Sequence, residues 1–453
     1  MQQQRAMRFA FPLRLLPLLV LTALALPPAR AACAAAGPSG RLDLATLPDD
    51  DTLARLVWEH SPDLVESRTR IAGDRATVQR SELLPNPTLD ASMNTIPLGV
   101  TNPPGLDKLN QVPNYAFGLA ELIEIGKRGP RQRAASASLE ATVDDARESL
   151  RGQWFELLAR IGAIAGAQIR VAAMQDLVQD ADRLATAEDQ RAGQGDVPQL
   201  DAERAHLDAA HLRSTLEQER QALATALLEC GRTAGVPCER FASSGQAERF
   251  LSTHLAMAPA QPAIDERPDL QALQARAQSA EAAVQLAKAH AIPDPTVRVG
   301  YVYDEFTAAG NQRNSMFVGL SIPLPVFDHG QADANQAVAE LDGANRQREI
   351  LAAQAESEVA RLGPQVQELL RHSRDLHEHA VPLAQRVVSQ LQKSITAGGG
   401  GLQDLLLARR TLGELLLETA EADHAALEGT LALARASGVT PATPGDLASS
   451  DRS

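Results

Sequence analysis

The chain has 453 residues and a formal net charge of −14 at pH 7. Only 3% of its residues are aromatic, although 44% are hydrophobic. A chain this acidic repels phosphate backbones and anionic headgroups, which argues against nucleic acid or anionic lipid as a partner.

The N-terminus predicts export from the cytoplasm. A basic start, an apolar run and the small-residue site Ala29-Arg30-Ala31 together indicate a secretory signal peptide over residues 1–31. The run is too short to span a bilayer, and no later stretch reaches about 18 consecutive apolar residues, so we expect no helical anchor. Lipidation of Cys33 is left open, because Arg30 stands where a lipoprotein cleavage box has leucine.

After an N-terminal tail, residues 32–48, the chain alternates helices with short strands. Residues 52–82 are predicted to form a helix, which cannot continue past Pro85 and Pro87. Residues 88–94 then alternate apolar and polar, as in a half-buried strand. A loop rich in proline, asparagine and glycine leads to a return strand over residues 114–120. These two strands predict a hairpin.

The next segment is an unusually long helix. Residues 131–189 contain no proline, and their apolar positions recur at steps of three and four, which predicts a coiled-coil seam roughly 90 Å long. The chain turns at residues 192–198 and returns as a helix over residues 199–229. Cys230 and Cys238 then lie close enough for a disulfide in an oxidising compartment, with two unpaired thiols as the alternative.

The second half repeats the first in the same order. Pro87 returns as Pro295 and Gly118 as Gly319, at offsets of 208 and 201 residues. The second outbound helix covers residues 331–397, with an interruption expected at Gly363-Pro364, and residues 402–437 return. We therefore predict a duplication, with repeats at residues 49–240 and 265–439, a linker at 241–264 and a disordered tail at 440–453.

The four strands each have one apolar and one polar face. All three tyrosines of the chain lie in these strands, and aromatic belts are typical of membrane barrels, although a hairpin on a soluble core gives the same alternation. Four strands are too few to close a channel, so one chain alone cannot form a pore. The residues predicted on the membrane face are Leu89, Met93, Tyr115, Phe117, Leu119, Val299, Tyr301, Tyr303, Val318 and Leu320.

Over about residues 49–439 the sequence resembles the TolC family of outer-membrane efflux channels. The resemblance is carried by "LPNP" and "IPDP" before the strands, by "GLSIPLPVFDHGQADANQA", and by the Gly-rich turns followed by "QLDAER" and "DLLLAR". The motif "ELIEIGKRGPR" looks most like the heavy-metal, CzcC-like branch.

The resemblance implies a mainly α fold with a small β part. Long-helix hairpins would form an α-barrel tunnel, and two β-hairpins would give four strands to a trimeric 12-stranded outer-membrane β-barrel. The chain is expected to assemble as a homotrimer. Its other expected partners are a periplasmic adaptor protein, an inner-membrane RND-type pump and outer-membrane lipid. Conduction would be passive, so neither enzymatic activity nor a cofactor is expected.

The resemblance also implies roles for both helical turns. Adaptor docking would fall on Gly193, Gly195, Asp196, Val197, Gly400, Gly401 and Leu402. Asp404 matches a carboxylate that rings the constriction in relatives, where like charges favour cations. A second acidic position of the family falls on Leu407, so the ring would hold three carboxylates rather than six. The plainer alternative makes Asp404 a solvated helix residue.

Two other functions are compatible with parts of the sequence. The same channel could serve drug efflux or type I protein secretion, and a periplasmic coiled-coil adaptor would also be exported. An adaptor would lack the two strand hairpins and usually carries a β-rich lipoyl-like module. His372, His377 and His379 do not share one helix face, so we predict solvated histidines and no metal site there.

Overall fold

The computed structural model describes residues 40–46, 48–101, 104–109, 111–259, 261–304, 312–397, 401–442 and 444. The predicted signal peptide, Cys33, Gly400 and most of the C-terminal tail lie outside these residues.

The described chain is mainly helical with a small β part, as predicted. The α-helices are α1 Asp50–His60, α2 Val65–Glu82, α3 Arg128–Gln194, α4 Gln199–Ala234, α5 Ser244–His254, α6 Pro268–Ala289, α7 Gln331–Asp375, α8 Val381–Thr396 and α9 Leu402–Ala436. The strands are β1 Leu42–Asp43, β2 Thr88–Asn94, β3 Asn114–Leu122, β4 Cys238–Glu239, β5 Thr296–Asp304 and β6 Asn314–Ser321. Short 3₁₀ turns occur at Leu44–Thr46, Pro62–Leu64 and Ile264–Glu266, and a π-turn at Leu376–Ala380.

Helix α3 is the spine of the protein. It packs against α2, α4, α6 and α9, and Trp154, Leu157 and Ile161 are buried in the core. One 18-residue segment of α3 has a mean hydropathy of 1.4, enough in length and composition to cross a membrane, and 56% of that segment is buried. A buried core helix meets the same criteria, and the packing around α3 accounts for its hydropathy.

The predicted helix over residues 52–82 is broken. Helix α1 begins after Asp49, whose side chain accepts a hydrogen bond from the Thr52 amide at 2.9 Å, and it ends before Ser61. Ser61 is extended (φ −63°, ψ 127°) because Pro62 follows it and disfavours helical backbone there. A single-helix prediction was therefore wrong at Ser61-Pro62.

The predicted interruption at Gly363-Pro364 was also wrong. Helix α7 continues through Pro364 to Asp375, and the regular pattern changes instead at the π-turn Leu376–Ala380, directly before Pro382 in the first turn of α8. Proline cannot donate a backbone hydrogen bond, and a wider turn before it accommodates the missing bond.

The N-terminal tail and the linker both contain ordered structure. Strand β1 pairs in parallel with β4, and Gln168 of α3 exchanges two hydrogen bonds with the backbone of Phe241 at 2.8 and 3.1 Å. The linker also carries α5, which packs on α3. Cys230 and Cys238 form a disulfide with a Cα–Cα distance of 6.0 Å, joining the end of α4 to β4.

Candidate functional site

The four long strands form one antiparallel sheet in the order β2-β3-β5-β6. Leu89, Leu119, Val299 and Val318 lie opposite one another in a row across it. Because facing residues of a sheet point to the same side, this register places all ten predicted membrane-face residues on one side. The sequence pattern did not reveal that Glu121 shares the side, beside Val297.

The apolar side of the sheet is open. Leu89 is 78% exposed, Met316 77%, Val318 79% and Leu320 65%, and no described element covers them. An apolar patch of this kind on a soluble protein is rare and marks a surface that meets lipid or another protein.

The polar side of the sheet contains a tight aromatic contact that sequence reasoning missed. Gly118, Gly300 and Phe317 lie in one row, and the Phe317 ring covers both glycines. A Cβ at Gly300 would come within 2.5 Å of the Phe117 carbonyl oxygen and of the ring. The two glycines therefore make room for Phe317.

A buried ion pair joins the sheet to the helices. Lys127 Nζ lies 2.6 Å from Asp294 Oδ2 and donates to the Ile292 carbonyl at 2.9 Å, and Asp294 Oδ1 accepts from the Ile125 amide at 2.9 Å. Burial alone would raise the pKa of Asp294, but the hydrogen bonds from Lys127 and Ile125 leave that pKa below its usual value. Sequence reasoning used "ELIEIGKRGPR" as a family signature and missed this structural role.

The first helical turn is closed by one glycine. Gly195 has φ +82°, and its amide and that of Asp196 donate to the Ala192 and Arg191 carbonyls at 3.0 and 2.9 Å. This is a glycine C-cap, for which a left-handed residue is required. Gly193 lies within α3 in open space, so Gly195 is the glycine that closes the turn.

The second turn lies beside the first. Arg191 of α3, Thr396 of α8 and Leu405 of α9 line one cavity, so the two turns are neighbours. Gly401 precedes α9 in extended backbone, and the exposed Asp404 lies in the first helical turn, where the helix dipole favours a carboxylate. Asp404 and Leu407 also border an apolar groove of about 490 Å³ between α8 and α9.

Two charged side chains are buried in the helices behind the turns. Arg409 is 3% exposed and Glu188 is 1% exposed, and Arg409 Nη1 and Glu188 Oε2 have no hydrogen-bond partner among the described residues. Burial lowers the pKa of Arg409 and raises the pKa of the nearby Asp208 carboxyl. The sequence showed Arg409 only as a repeat landmark.

Among the three histidines, His377 makes the shortest contact with a carboxylate. His377, in the π-turn, has Nε2 at 2.9 Å from Asp423 Oδ2, and Ser373 donates to Asp423 Oδ1 at 2.5 Å. The hydrogen bond to Asp423 raises the pKa of His377. Within the described residues, no group of three or more His, Cys, Asp or Glu side chains is placed to hold a metal ion.

Comparison with known proteins relates part of the chain to a known family. Residues 260–439, which include the second strand hairpin and α7 to α9, match the model of the family described as outer membrane efflux protein. The chain is also 27% identical over 304 residues to the cobalt-zinc-cadmium resistance protein CzcC of Cupriavidus metallidurans, covering 63% of this chain and 68% of CzcC.

Solved structures show the same fold. CusC matches with a TM-score of 0.66 and 15% identity over 86% of this chain and 92% of CusC. The outer membrane protein VceC from Vibrio cholerae matches with a TM-score of 0.64 and 18% identity over 86% and 96% of the two chains. The predicted fold class is thus confirmed, and the predicted family resemblance is confirmed over residues 260–439.

Proposed function

We propose that three copies of this chain form the outer-membrane channel of a tripartite efflux system. The channel conducts substrate passively from an inner-membrane RND-type pump and a periplasmic adaptor to the outside. The matched family is a transport family, and conduction along a water-filled path requires no catalytic group.

One observation carries the proposal. The chain presents a four-stranded antiparallel sheet with an open apolar side and a polar side, at the ends of helices of 67 and 45 residues. An open sheet cannot cross a bilayer because its edge amides and carbonyls would be left unpaired in hydrocarbon. Three sheets supply twelve strands, and closing them into a barrel removes the edges.

The two neighbouring helical turns, at the end of α3 away from the sheet, are the periplasmic end of this channel. The turn residues Gly195, Asp196, Val197, Gly401 and Leu402 are proposed to contact the adaptor. Three copies of Asp404, one from each chain, form a ring of negative charge that favours cations over anions. Its exposed position beside an apolar groove supports this role.

The cargo is proposed to be heavy-metal cations. This rests on the similarity to CzcC, whose name gives cobalt, zinc and cadmium, and the cation-favouring ring is compatible with it. In cells that also contain the cognate pump and adaptor, loss of this chain should raise cell-associated cobalt, zinc or cadmium. If cell-associated drug rose while cell-associated metal stayed unchanged, the cargo would be a drug rather than a metal cation. The proposal that the chain forms a channel would still stand.

Membrane insertion is the direct test. The full chain is expressed in a Gram-negative host, the outer membrane is separated on a sucrose gradient, and the detergent-solubilised mass is measured by light scattering. Arginine on the lipid face of a barrel costs about 2–4 kcal/mol at the membrane midplane, so Val318→Arg should reduce outer-membrane content strongly. Ser315→Arg, on the opposite side of the same strand, is the matched control and should insert normally.

The expected outcome is a trimer that needs detergent. A monomer that stays in solution without detergent would overturn the proposal. Equal insertion of the Val318→Arg and Ser315→Arg variants would also overturn it, because the apolar side would then not face lipid.

A further inference from the structure

The sheet of one chain has two edges that the described residues leave unpaired. Strand β2 pairs only with β3, and β6 pairs only with β5. Within the chain, β3 of the first copy pairs with β5 of the second copy. If the two halves are equivalent, this internal joint is a template for how β6 of one chain meets β2 of another.

The hairpin registers show that the strands are equivalent residue by residue. Thr88 pairs with Ala120 in the first hairpin, and Thr296 pairs with Ser321 in the second. Thr88 and Thr296 differ by 208 positions, and Ala120 and Ser321 differ by 201. The same two offsets relate the paired residues along both hairpins, so the hairpins share one register.

The equivalence of the two copies extends to the C-terminal ends of α4 and α9. Gly235 after α4 has φ +72°, and a Cβ there would lie 2.2 Å from the His60 carbonyl oxygen. Gly438 after α9 has φ +90°, and its Cβ would lie 2.4 Å from the Ala263 carbonyl oxygen. Both glycines and both carbonyls are 203 positions apart, so the two copies make the same close contact far from the sheet.

The internal joint also has defined contacts below the sheet. Leu119 faces Val299 in the β3–β5 ladder, and the Ile123 amide donates to the Pro295 carbonyl at 2.9 Å. The Ile125 amide then donates to Asp294 Oδ1 at 2.9 Å.

We infer that β6 of one chain pairs antiparallel with β2 of the next chain in the register that this joint dictates. Applying the two offsets places Gly319 opposite Ser92, and Leu320 opposite Ala91. Below the strands, the Leu324 amide donates to the Pro87 carbonyl of the neighbour. The inference rests on the proposed trimeric channel and specifies how its chains are joined.

The register keeps the apolar and the polar side of the sheet continuous from one chain to the next. It puts Ala91 with Leu320 on the apolar side and Ser92 with Gly319 on the polar side, whereas a slip by one residue would mix the sides. Asn86 stands at the place of Asp294 and keeps a side-chain oxygen that can accept from the Val326 amide. In the single chain that amide turns back onto the Leu324 carbonyl at 2.8 Å.

The residues at the joint are also compatible in polarity and charge. Leu324 and Val326 are 77% and 70% exposed in the single chain, where their counterparts Ile123 and Ile125 are 48% and 41% exposed. Asp328 replaces Lys127 in the alignment, and neutral Asn86 replaces Asp294. The second joint therefore brings together an amide and a carboxylate rather than two like charges.

Paired cysteines test the register in the full chain. Ser92→Cys with Gly319→Cys should give covalent trimers on mild oxidation in outer membranes, seen on non-reducing gels. Ser92→Cys with Ser321→Cys, and Asp90→Cys with Gly319→Cys, are shifted by two residues in opposite directions. Diagonal neighbours lie about 7–8 Å apart, with a somewhat shorter Cβ–Cβ distance, whereas a disulfide needs a Cβ–Cβ distance of about 3.5–4.5 Å. The shifted pairs should therefore link at least about tenfold more slowly.

Two further controls make the result decisive. Ala91→Cys with Leu320→Cys samples the adjacent pair, because facing pairs alternate in hydrogen bonding and in side-chain separation. Single-cysteine variants report any link through the native cysteines. Links within one chain are excluded by distance, since β2 and β6 lie three strand spacings, about 14 Å, apart.

The outcomes separate this inference from the proposed function. Fastest linking by the first design, or by its adjacent pair, supports the register. The register would be overturned if a shifted pair linked fastest, or if no pair linked a protein that is a trimer in detergent. Either result would leave the proposed channel function standing. A monomeric protein in detergent with no cross-links would overturn both.

Discussion

The ion pair between Lys127 and Asp294 offers a test of how the sheet is attached to the helices. The two side chains are 9% and 16% exposed, so removing one partner leaves the other charge largely buried. Breaking such a pair costs about 3–5 kcal/mol, and the residual exposure favours the lower end, about 3 kcal/mol. We expect this loss for Lys127→Met, which keeps most of the apolar stem.

A double-mutant cycle isolates the pair itself. Asp294→Asn keeps an oxygen for the Ile125 amide and should also cost about 3 kcal/mol, but the double variant should lose only about 4, a coupling of about 2 kcal/mol. Guanidinium unfolding in detergent is followed by fluorescence of the two tryptophans, with helical circular dichroism as the check on two-state behaviour. The exposed pair Arg70 and Glu66 is the control, with coupling below about 0.5 kcal/mol. Coupling of Lys127 and Asp294 at that same low level would refute the argument from burial.

Three further predictions follow from the site. Asp404→Asn should lower cation selectivity in planar bilayers, measured as a shift of reversal potential toward zero in a salt gradient, and an unchanged potential would remove Asp404 from the constriction. His377 has a raised pKa, so its bond to Asp423 stabilises the protein at low pH and this contribution, at most about 1 kcal/mol for so exposed a pair, is lost as pH rises through that pKa. His377→Gln should therefore make the denaturant midpoint less dependent on pH as the pH rises above 6.5, and an identical slope in the two proteins would contradict this. Cys230→Ser should cost about 2.5 kcal/mol, because the disulfide closes a loop with a sequence separation of 8; an unchanged midpoint would mean that the bond does not constrain the unfolded chain.

Periodicity was sufficient to predict the strands and the long helices. Leu89, Leu119 and Val299 alternate with polar or small neighbours, and the structure places them in one row of the sheet. The long helix was predicted because residues 131–189 have no proline and a regular seam, and α3 extends beyond both limits. These signals are local, since each depends on the side that successive side chains take.

The rest of the site depends on contacts between distant residues. Lys127 and Asp294 are far apart in the chain, and nothing near either one indicates its partner. Arg409 follows the same sequence pattern as solvated arginines, and the packing of α9 against its neighbouring helices buries it. Pro364 was misread for the opposite reason, because a local rule about proline was applied where the helix tolerates the missing bond.

The helices lead to the same view of assembly as the strands. Helix α6 packs against both α3 and α7, and nine of its residues are buried. Its first-copy counterpart α2 packs along α3 and buries only two residues. Helix α7 is correspondingly bare, with five buried residues among 45, whereas α3 has 23 among 67. The first copy of each chain is thus covered by the second, and a second copy can be covered in the same way only by the first copy of another chain. In a closed ring of chains, the second copy of every chain is covered by the first copy of its neighbour. The β-barrel and the helical tunnel both require such a closed ring.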